Sequence, residues 1–137
     1  MDLQAFEDHL IWAEAERLLP YRCSEGYLTI GVGRNLDDRG ITQEESRFLL
    51  KTDMEIVLKE AATLDYWDEL NDARKLVIAD MIFNLGLSRF IRFVKFAAAL
   101  RIHDYTLAAH EMMDSRWATQ VGRRAIKLRD IMLSGEL

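Results

Sequence analysis

The spacing of apolar residues predicts that most of this chain is helical. Residues 3–18 repeat apolar side chains at helical intervals and place acidic ones between them, which indicates an amphipathic helix. Its apolar positions are Leu3, Phe6, Leu10 and Ala13. Pro20 is expected to end the helix, because the residue before a proline is biased away from helical geometry.

A different pattern follows. The stretch "YLTIGVG", residues 27–33, alternates β-branched and aromatic residues with glycine, which is typical of a short twisted hairpin. The stretch "NLDDRG", residues 35–40, reads as turn material. This is the one sheet that the sequence predicts.

Helical patterns then return. Thr42 and Glu45 have the spacing of a capping box, and the helix they open is expected to reach about Leu64. The stretch "NDARKLVIADMIFNLG", residues 71–86, is apolar on nearly every side, which predicts the buried centre of a helical bundle. Shorter helices are expected at about 89–101, 104–113 and 123–133.

These elements predict an α+β fold in a single domain, residues 1–137. A small β-containing lobe is expected over about 14–41 and an inter-lobe helix over about 42–64. An all-helical lobe is expected over about 65–137, together with the N-terminal helix. A cleft between the two lobes would be the natural place for a site.

Composition is that of a globular protein, with 50% hydrophobic and 30% charged residues in 137. The net charge of −5 does not favour nucleic-acid binding. The charge is unevenly placed, since residues 1–20 hold five acids and one base, whereas residues 115–129 hold five bases and no acid. That basic end could dock an anionic polymer, pair with the acidic end, or be a solvated helix face.

The number of cysteines and the hydropathy of the chain indicate in which compartment the protein is located. One cysteine cannot form an internal disulfide. The N-terminal stretch lacks the basic and uninterrupted apolar regions of a signal peptide, and no stretch has the ~20 apolar residues that span a membrane. The sequence therefore predicts a cytoplasmic protein with no membrane insertion.

Three residues at the predicted lobe boundary have a distinctive spacing. Eight residues separate Glu14 from Cys23, and five separate Cys23 from Thr29. Here "EAERLLPYRCSEGYLTIGVGRNL" resembles the active-site segment of T-even-type phage lysozymes (endolysins), glycoside hydrolase family 24, whose signature is Glu, eight residues, Asp or Cys, five residues, Thr. The resemblance continues through "GITQEESRFLLKTD", "ARKLVIADMIFNLG" and "SRWATQVGRRA", and it covers nearly the whole chain.

The resemblance implies a lysozyme-like fold and a muramidase that hydrolyses the β-1,4 bond between N-acetylmuramic acid and N-acetylglucosamine in peptidoglycan. Glu14 would be the general acid, and partial burial among Leu10 and Leu18 is expected to help it keep its proton near neutral pH. Cys23 stands where other members have aspartate, as nucleophile or as base, and Thr29 would position water. Retention and inversion of the anomeric carbon both stay open.

The resemblance also suggests supporting residues. Arg124 would brace Glu14, while Asn84 and Gln120 would hydrogen-bond sugar or water. Arg34 replaces a histidine found in many members and is expected to pair with Asp53 on the long helix.

Ala15 stands where the family usually has glycine. Ala15 and Arg34 keep alive a second hypothesis, a catalytically weakened protein that binds peptidoglycan or a partner. No cofactor or metal is expected. The resemblance further implies a monomer, held in the host cytoplasm until a separate pore-forming protein admits it to the cell wall, which lies in the periplasm of a Gram-negative host.

Overall fold

A computed structural model describes all residues from 1 to 137 and shows eight α-helices, one 3-10 turn and a three-stranded sheet. In the first part of the chain the elements are α1 Leu3–Glu14, β1 Arg17–Arg22, β2 Leu28–Gly31, β3 Arg34–Asn35 and α2 Gln43–Ala61. The 3-10 turn Trp67–Glu69 follows, and then α3 Asp72–Leu85, α4 Leu87–Phe90, α5 Val94–Arg101, α6 Tyr105–Met113, α7 Arg116–Val121 and α8 Arg123–Ser134. The mainly helical α+β fold predicted from the sequence is confirmed.

The chain divides into two compact units, residues 1–49 and 50–137, and the boundary falls inside α2. The first unit contains α1 and the sheet, and the second contains the remaining helices. The sequence instead grouped the N-terminal helix with the helical lobe, and that lobe assignment stays a prediction.

The N-terminal helix is shorter than predicted. It ends at Glu14 rather than at residue 18, because Ala15 adopts φ 59° and ψ 160°, which no helical residue adopts. Residues 17–22 form β1 at the edge of the sheet, and Pro20 lies within this strand. An edge strand accepts proline because one of its sides needs no hydrogen-bond donors.

The sheet is antiparallel, with the order β1-β2-β3. Thr29 lies on the central strand, opposite Tyr21 on one side and Asn35 on the other. It is only 4% exposed and is the one fully buried residue of the first unit. The first unit therefore has no apolar core of its own.

The predicted helix starts are largely confirmed. In the capping box, the Thr42 backbone N–H donates to Glu45 Oε1 at 3.0 Å, and the Glu45 N–H donates to Thr42 Oγ1 at 3.1 Å. α2 ends at Ala61, three residues before the predicted end. The segment expected at 89–101 is divided into α4 and α5, and α7 was not predicted.

The hydrophobic core lies in the second unit, where α3 is its centre as predicted. Val77, Ile78, Met81 and Ile82 of α3 are at most 1% exposed. Phe96 and Leu100 of α5, Met112 of α6 and Met132 of α8 are buried to the same degree and complete this core.

Candidate active site

Glu14 is the last residue of α1, and its side chain lies against the turn between β2 and β3. A Cβ atom placed on Gly33 would be 2.9 Å from Glu14 Oε2 and 3.0 Å from its Cδ. A larger residue at position 33 would therefore require this carboxylate to shift. The apolar surroundings expected for Glu14 are not formed, because Glu14 is exposed and Leu10 and Leu18 are 37% and 81% exposed.

Cys23 begins the turn that joins β1 to β2. Its backbone N–H donates to the carbonyl of Tyr27 at 2.9 Å, and its own carbonyl accepts from the Gly26 N–H at 2.8 Å. Hydrogen bonds from the backbone of Glu25, then from the backbone of Tyr27 and the side chain of Thr29, lower the pKa of the Cys23 thiol, while burial and the Glu25 charge oppose this. The turn therefore favours the thiolate.

Thr29 reaches the thiol from the central strand. Its hydroxyl donates to the carbonyl of Tyr27 at 2.9 Å, and its side chain is among the groups that lower the pKa of the Cys23 thiol. A hydroxyl has one proton and two lone pairs, so it can donate one hydrogen bond and accept another, and it can thereby link a neighbouring group to water. The structure thus brings together Cys23 and Thr29, two of the three residues singled out by spacing.

Ala15 departs from ordinary backbone geometry beside Glu14. Its φ of 59° lies in the left-handed region, where a Cβ atom is unfavourable and glycine is the usual residue. With a ψ of 160°, it occupies a conformation that is almost restricted to glycine. The alanine noted in the sequence therefore places backbone strain directly next to the candidate acid.

Arg34 pairs with Glu45 at the start of α2, and its predicted pair with Asp53 stays a prediction. Its guanidinium donates to Glu45 Oε1 at 3.0 Å, approaches Oε2 at 2.9 Å and donates to the carbonyl of Gly40 at 3.2 Å. The capping box already holds the Glu45 carboxylate at the start of α2, so the arginine finds a fixed partner there. Arg34, and then the Thr42 backbone and side chain, lower the pKa of Glu45 to about 2.

A pocket of about 820 Å³ borders this pair. Gly33, on which the Glu14 carboxylate lies, forms part of its wall. Ile30, Val32 and Ile41 supply apolar surface, and Arg39 and Asp38 supply charge. Pockets of this size, mainly apolar with a few polar groups, are typical of ligand sites.

The remaining predicted residues lie in the second unit. Arg124 Nε donates to Asp80 Oδ1 at 2.8 Å, so its partner in the structure is Asp80. The predicted brace of Glu14 by Arg124 stays a prediction, and the terminal N–H groups of the guanidinium would have to serve it. Asn84 Oδ1 accepts from Trp117 Nε1 at 3.1 Å, and Gln120 is exposed on α7.

Three contributors were not predicted from the sequence: Gly33, Glu45 as the partner of Arg34, and Asp80. The sequence indicates Glu45 only as a helix cap and the "GVG" of residues 31–33 only as part of the hairpin. Nothing in the sequence indicates that the carboxylate of a capping glutamate also accepts hydrogen bonds from an arginine.

The side chains and helices were also compared with what a metal site and a membrane-spanning helix require. No three His, Cys, Asp or Glu side chains are grouped as a metal ion would require. None of the helices combines the length and the apolar character that crossing a bilayer demands.

The combination of eight helices with a three-stranded antiparallel sheet is a lysozyme-like α+β fold. Residues 12–130 match the sequence model of the family described as "Phage lysozyme", and the chain belongs to that family. Membership defines it as lysozyme-like, the class of glycoside hydrolases that act on peptidoglycan.

Three curated proteins illustrate the relationship. "Probable T4-type lysozyme 1" and "Probable T4-type lysozyme 2" of Dictyostelium discoideum are 26% and 25% identical, over 98% of this chain and 97% of each relative. The "Pre-baseplate central spike protein Gp5" of Enterobacteria phage T4 is 24% identical over 90% of this chain, which corresponds to 27% of that larger protein.

Proposed function

We propose that the protein is a muramidase that hydrolyses the β-1,4 bond between N-acetylmuramic acid and N-acetylglucosamine in bacterial peptidoglycan. The observation that carries the proposal is that Cys23 and Thr29 lie close together on the β1–β2 hairpin, with the thiol pKa lowered, in a chain of the phage lysozyme family. Glu14, at the spacing of the family's catalytic acid, lies in the same unit against Gly33.

In the proposed reaction Glu14 protonates the glycosidic oxygen as the bond to the anomeric carbon breaks. In one route, water attacks that carbon, and the Cys23 thiolate takes the proton from the water while Thr29 orients it. In the other route, the thiolate attacks the carbon, and water later displaces it from the covalent intermediate. The hydrogen bonds to Cys23 support both routes, because each needs the thiolate.

Supporting roles are proposed for residues outside this trio. The Arg34–Glu45 pair fixes the wall that contains Gly33, so it would hold the surface on which Glu14 rests. Arg124 would brace Glu14 through its terminal N–H groups. The amide NH₂ group of Asn84 and the exposed amide of Gln120 would hydrogen-bond the glycan, while the pair of Asp53 with Arg34 stays a prediction.

Clearing of a peptidoglycan suspension tests the proposal. The wild-type protein is expected to lower the turbidity at some point between about pH 5 and about pH 9. Glu14→Gln removes the transferable proton with little change in shape and should lose at least about a hundredfold in rate. Glu16→Gln, a neighbouring exposed acid, is the matched control and should retain activity. Failure of the wild type to release any sugar would refute the muramidase proposal.

Substitutions of Cys23 test whether its thiol takes part in the reaction or only fills space in the structure. Cys23→Asp should retain activity, because a carboxylate can serve as nucleophile or base. Cys23→Ala should nearly abolish it. Equal rates for the alanine variant and the wild type would show that the thiol has no chemical role.

The strained Ala15 favours one alternative, a catalytically weakened protein that still binds peptidoglycan. That protein would sediment with insoluble peptidoglycan without clearing it, and Ala15→Gly would restore some hydrolysis. Storage in the host cytoplasm and release through a separate pore-forming protein stay predictions.

A further inference from the structure

The turn that carries Cys23 is bound by a carboxylate from a later part of the chain. Asp37 follows β3, and its Oδ2 atom accepts a hydrogen bond of 2.7 Å from the backbone N–H of Leu28, the first residue of β2. A hydrogen bond from an N–H group to a charged acceptor is roughly twice as strong as one between neutral groups. Asp37 therefore fixes the point at which the chain leaves the turn and enters the central strand.

The Asp37 carboxylate takes the place of a backbone acceptor. In a regular antiparallel pair, two opposed residues exchange both of their N–H···O bonds. Leu28 and Leu36 are such a pair, one step beyond the paired end of β3. The Leu36 N–H donates to the Leu28 carbonyl at 2.7 Å, but the Leu36 carbonyl accepts from the Gly40 N–H at 3.0 Å in the following turn. The Leu28 N–H donates to the Asp37 side chain instead, so this step of the sheet depends on one particular side chain.

Arg22 connects the same carboxylate to the tip of the turn. It directly precedes Cys23 and lies opposite Leu28 in the strand pair. Its Nη1 atom lies 3.5 Å from Asp37 Oδ2 and donates to the carbonyl of Gly26 at 3.0 Å. The Gly26 N–H in turn donates to the Cys23 carbonyl at 2.8 Å. Residues at the start, the tip and the end of the turn are thereby joined in one network.

The groups that favour the Cys23 thiolate belong to this turn. The pKa of the thiol is lowered first by a hydrogen bond from the backbone of Glu25 and then by one from the backbone of Tyr27. Backbone N–H groups stabilise a thiolate only while the turn keeps them directed at the sulfur. The Tyr27 carbonyl also accepts from the Cys23 N–H and from the Thr29 hydroxyl, each at 2.9 Å. A displaced turn would therefore disturb both candidate catalytic residues.

We propose that Asp37 and Arg22 are positioning residues for Cys23, with the carboxylate fixing the end of the turn and the guanidinium fixing its tip. Neither takes part in making or breaking a bond to the glycan. They hold the turn so that its backbone N–H groups face the sulfur and Thr29 stays close to it. The consequence for catalysis rests on the proposed function, but the state of the thiol can be measured without peptidoglycan. Cys23 is the only cysteine in the chain, so a thiol reagent reports on it alone.

The pH dependence of the alkylation of Cys23 by iodoacetamide tests the proposal. Because the thiolate is the form that reacts, the midpoint of the rate against pH reports the pKa of the thiol. Asp37→Ala should move this midpoint up towards the ordinary thiol value of 9.0, with at least about threefold less thiolate at about pH 7. The direction is diagnostic, because the loss of a negative charge that acted only through space would favour the thiolate and lower the midpoint.

Three further variants define the network. Asp37→Asn keeps an oxygen that can accept from the Leu28 N–H, so its midpoint should lie between those of the wild type and Asp37→Ala. Glu16→Gln removes an exposed acid outside the turn and should not raise the midpoint. The double variant Arg22→Ala with Asp37→Ala should shift the midpoint by less than the sum of the two single shifts, because both residues act through one network. Shifts that add in full would overturn the role of Arg22.

Amide hydrogen exchange distinguishes positioning from unfolding of the unit. In Asp37→Ala the Cys23 amide, which donates to the Tyr27 carbonyl, should lose protection. The Ser46 amide, which donates to the Thr42 carbonyl at 2.9 Å in the same unit, should keep its protection. Loss of protection at both amides would show that Asp37 only maintains the fold and would overturn its positioning role.

The decisive result is the midpoint of Asp37→Ala. A value equal to or below that of the wild type would overturn the proposal. Peptidoglycan clearing by the wild type answers a separate question. A chain that does not clear peptidoglycan, but in which Asp37→Ala raises the alkylation midpoint, would refute the muramidase proposal and still support the positioning of the thiol.

Discussion

The contact between Glu14 and Gly33 gives a sharp test of the candidate acid, because the chain contains a matched control two residues away. Gly31 and Gly33 have nearly the same φ, 67° and 65°. A Cβ atom on Gly31 would meet nothing within 4 Å, whereas one on Gly33 would lie 2.9 Å from Glu14 Oε2. Alanine at either site carries the same type of backbone strain, but only Gly33→Ala displaces the carboxylate.

The displacement sets the size of the effect. To restore an ordinary contact of 3.4 Å, the Glu14 carboxylate must retreat from the new Cβ by about 0.5 Å. A shift of about 1 Å in a catalytic group can lower the rate about a hundredfold. A shift of about 0.5 Å should therefore lower kcat roughly tenfold. Both alanine variants should lose about 1–2 kcal/mol of unfolding free energy from the left-handed backbone.

Two assays on the same preparations separate these effects. Urea unfolding followed by circular dichroism measures the shared loss of stability, and turbidity clearing measures the rate. The expected result is similar unfolding midpoints for Gly31→Ala and Gly33→Ala with a roughly tenfold lower rate for Gly33→Ala alone. Equal rates for the two variants would refute the reasoning that Glu14 acts from its position on Gly33.

Three further predictions concern the surroundings of the site. Ala15→Gly should raise the unfolding free energy by about 0.5–2 kcal/mol, because the relief of about 1–3 kcal/mol of backbone strain outweighs the about 0.4–1 kcal/mol by which glycine stabilises the unfolded chain. The control Ala13→Gly, inside the helix, should lower the unfolding free energy by up to about 1 kcal/mol in the same urea titration. The pKa of Glu45 is about 2 against an ordinary 4.5, so its pair with Arg34 stabilises the fold above about pH 4.5, and the stability gap between wild type and Glu45→Gln should close as the pH falls towards 2. The lowered pKa of Cys23 should place the rising limb of the pH–rate profile below the ordinary thiol value of 9.0, and Cys23→Asp should move that limb further down.

Local sequence signals predicted those elements whose causes lie within a few residues. The capping box at Thr42 and Glu45 needs only a spacing of three, and it is formed as expected. The apolar repeat of α3 identifies the buried centre of the helical unit, where Val77 and Ile78 are fully buried. In both cases the residues that determine the structure lie within one or two turns of each other in the same helix.

The predictions that failed depend on neighbours distant in the sequence. The pairing of β1 with β2 converts residues 17–22, which follow an apparently continuous helical pattern, into a strand that tolerates Pro20 at the edge. The sequence alone offers Arg34 several acidic partners between residues 37 and 53. The one it contacts is decided by the turn at 35–41, which the sequence describes only as polar.

The same contrast applies to the candidate site. The spacing of Glu14, Cys23 and Thr29 is sufficient to single them out, and the structure places Cys23 and Thr29 close together on the β1–β2 hairpin. The surroundings of Glu14 could not be predicted. Exposure depends on which surfaces pack together, and the expected apolar cover by Leu10 and Leu18 is absent.

The first unit keeps its geometry through polar contacts, because Thr29 is its one buried residue. A segment of 49 residues without a core needs other constraints. They are the Arg34–Glu45 pair, a hydrogen bond of 2.7 Å from the Leu28 N–H to the Asp37 carboxylate, and the hydrogen bond from the Thr42 N–H to the Glu45 carboxylate at the start of α2. The ion pair and the cap share the Glu45 carboxylate, whose pKa is lowered to about 2 and which loses both contacts' charge when it is protonated. Acid should therefore loosen the hairpin that carries Cys23 and Thr29 before it unfolds the apolar core of the second unit, and the site should lose its shape before the chain loses its helices.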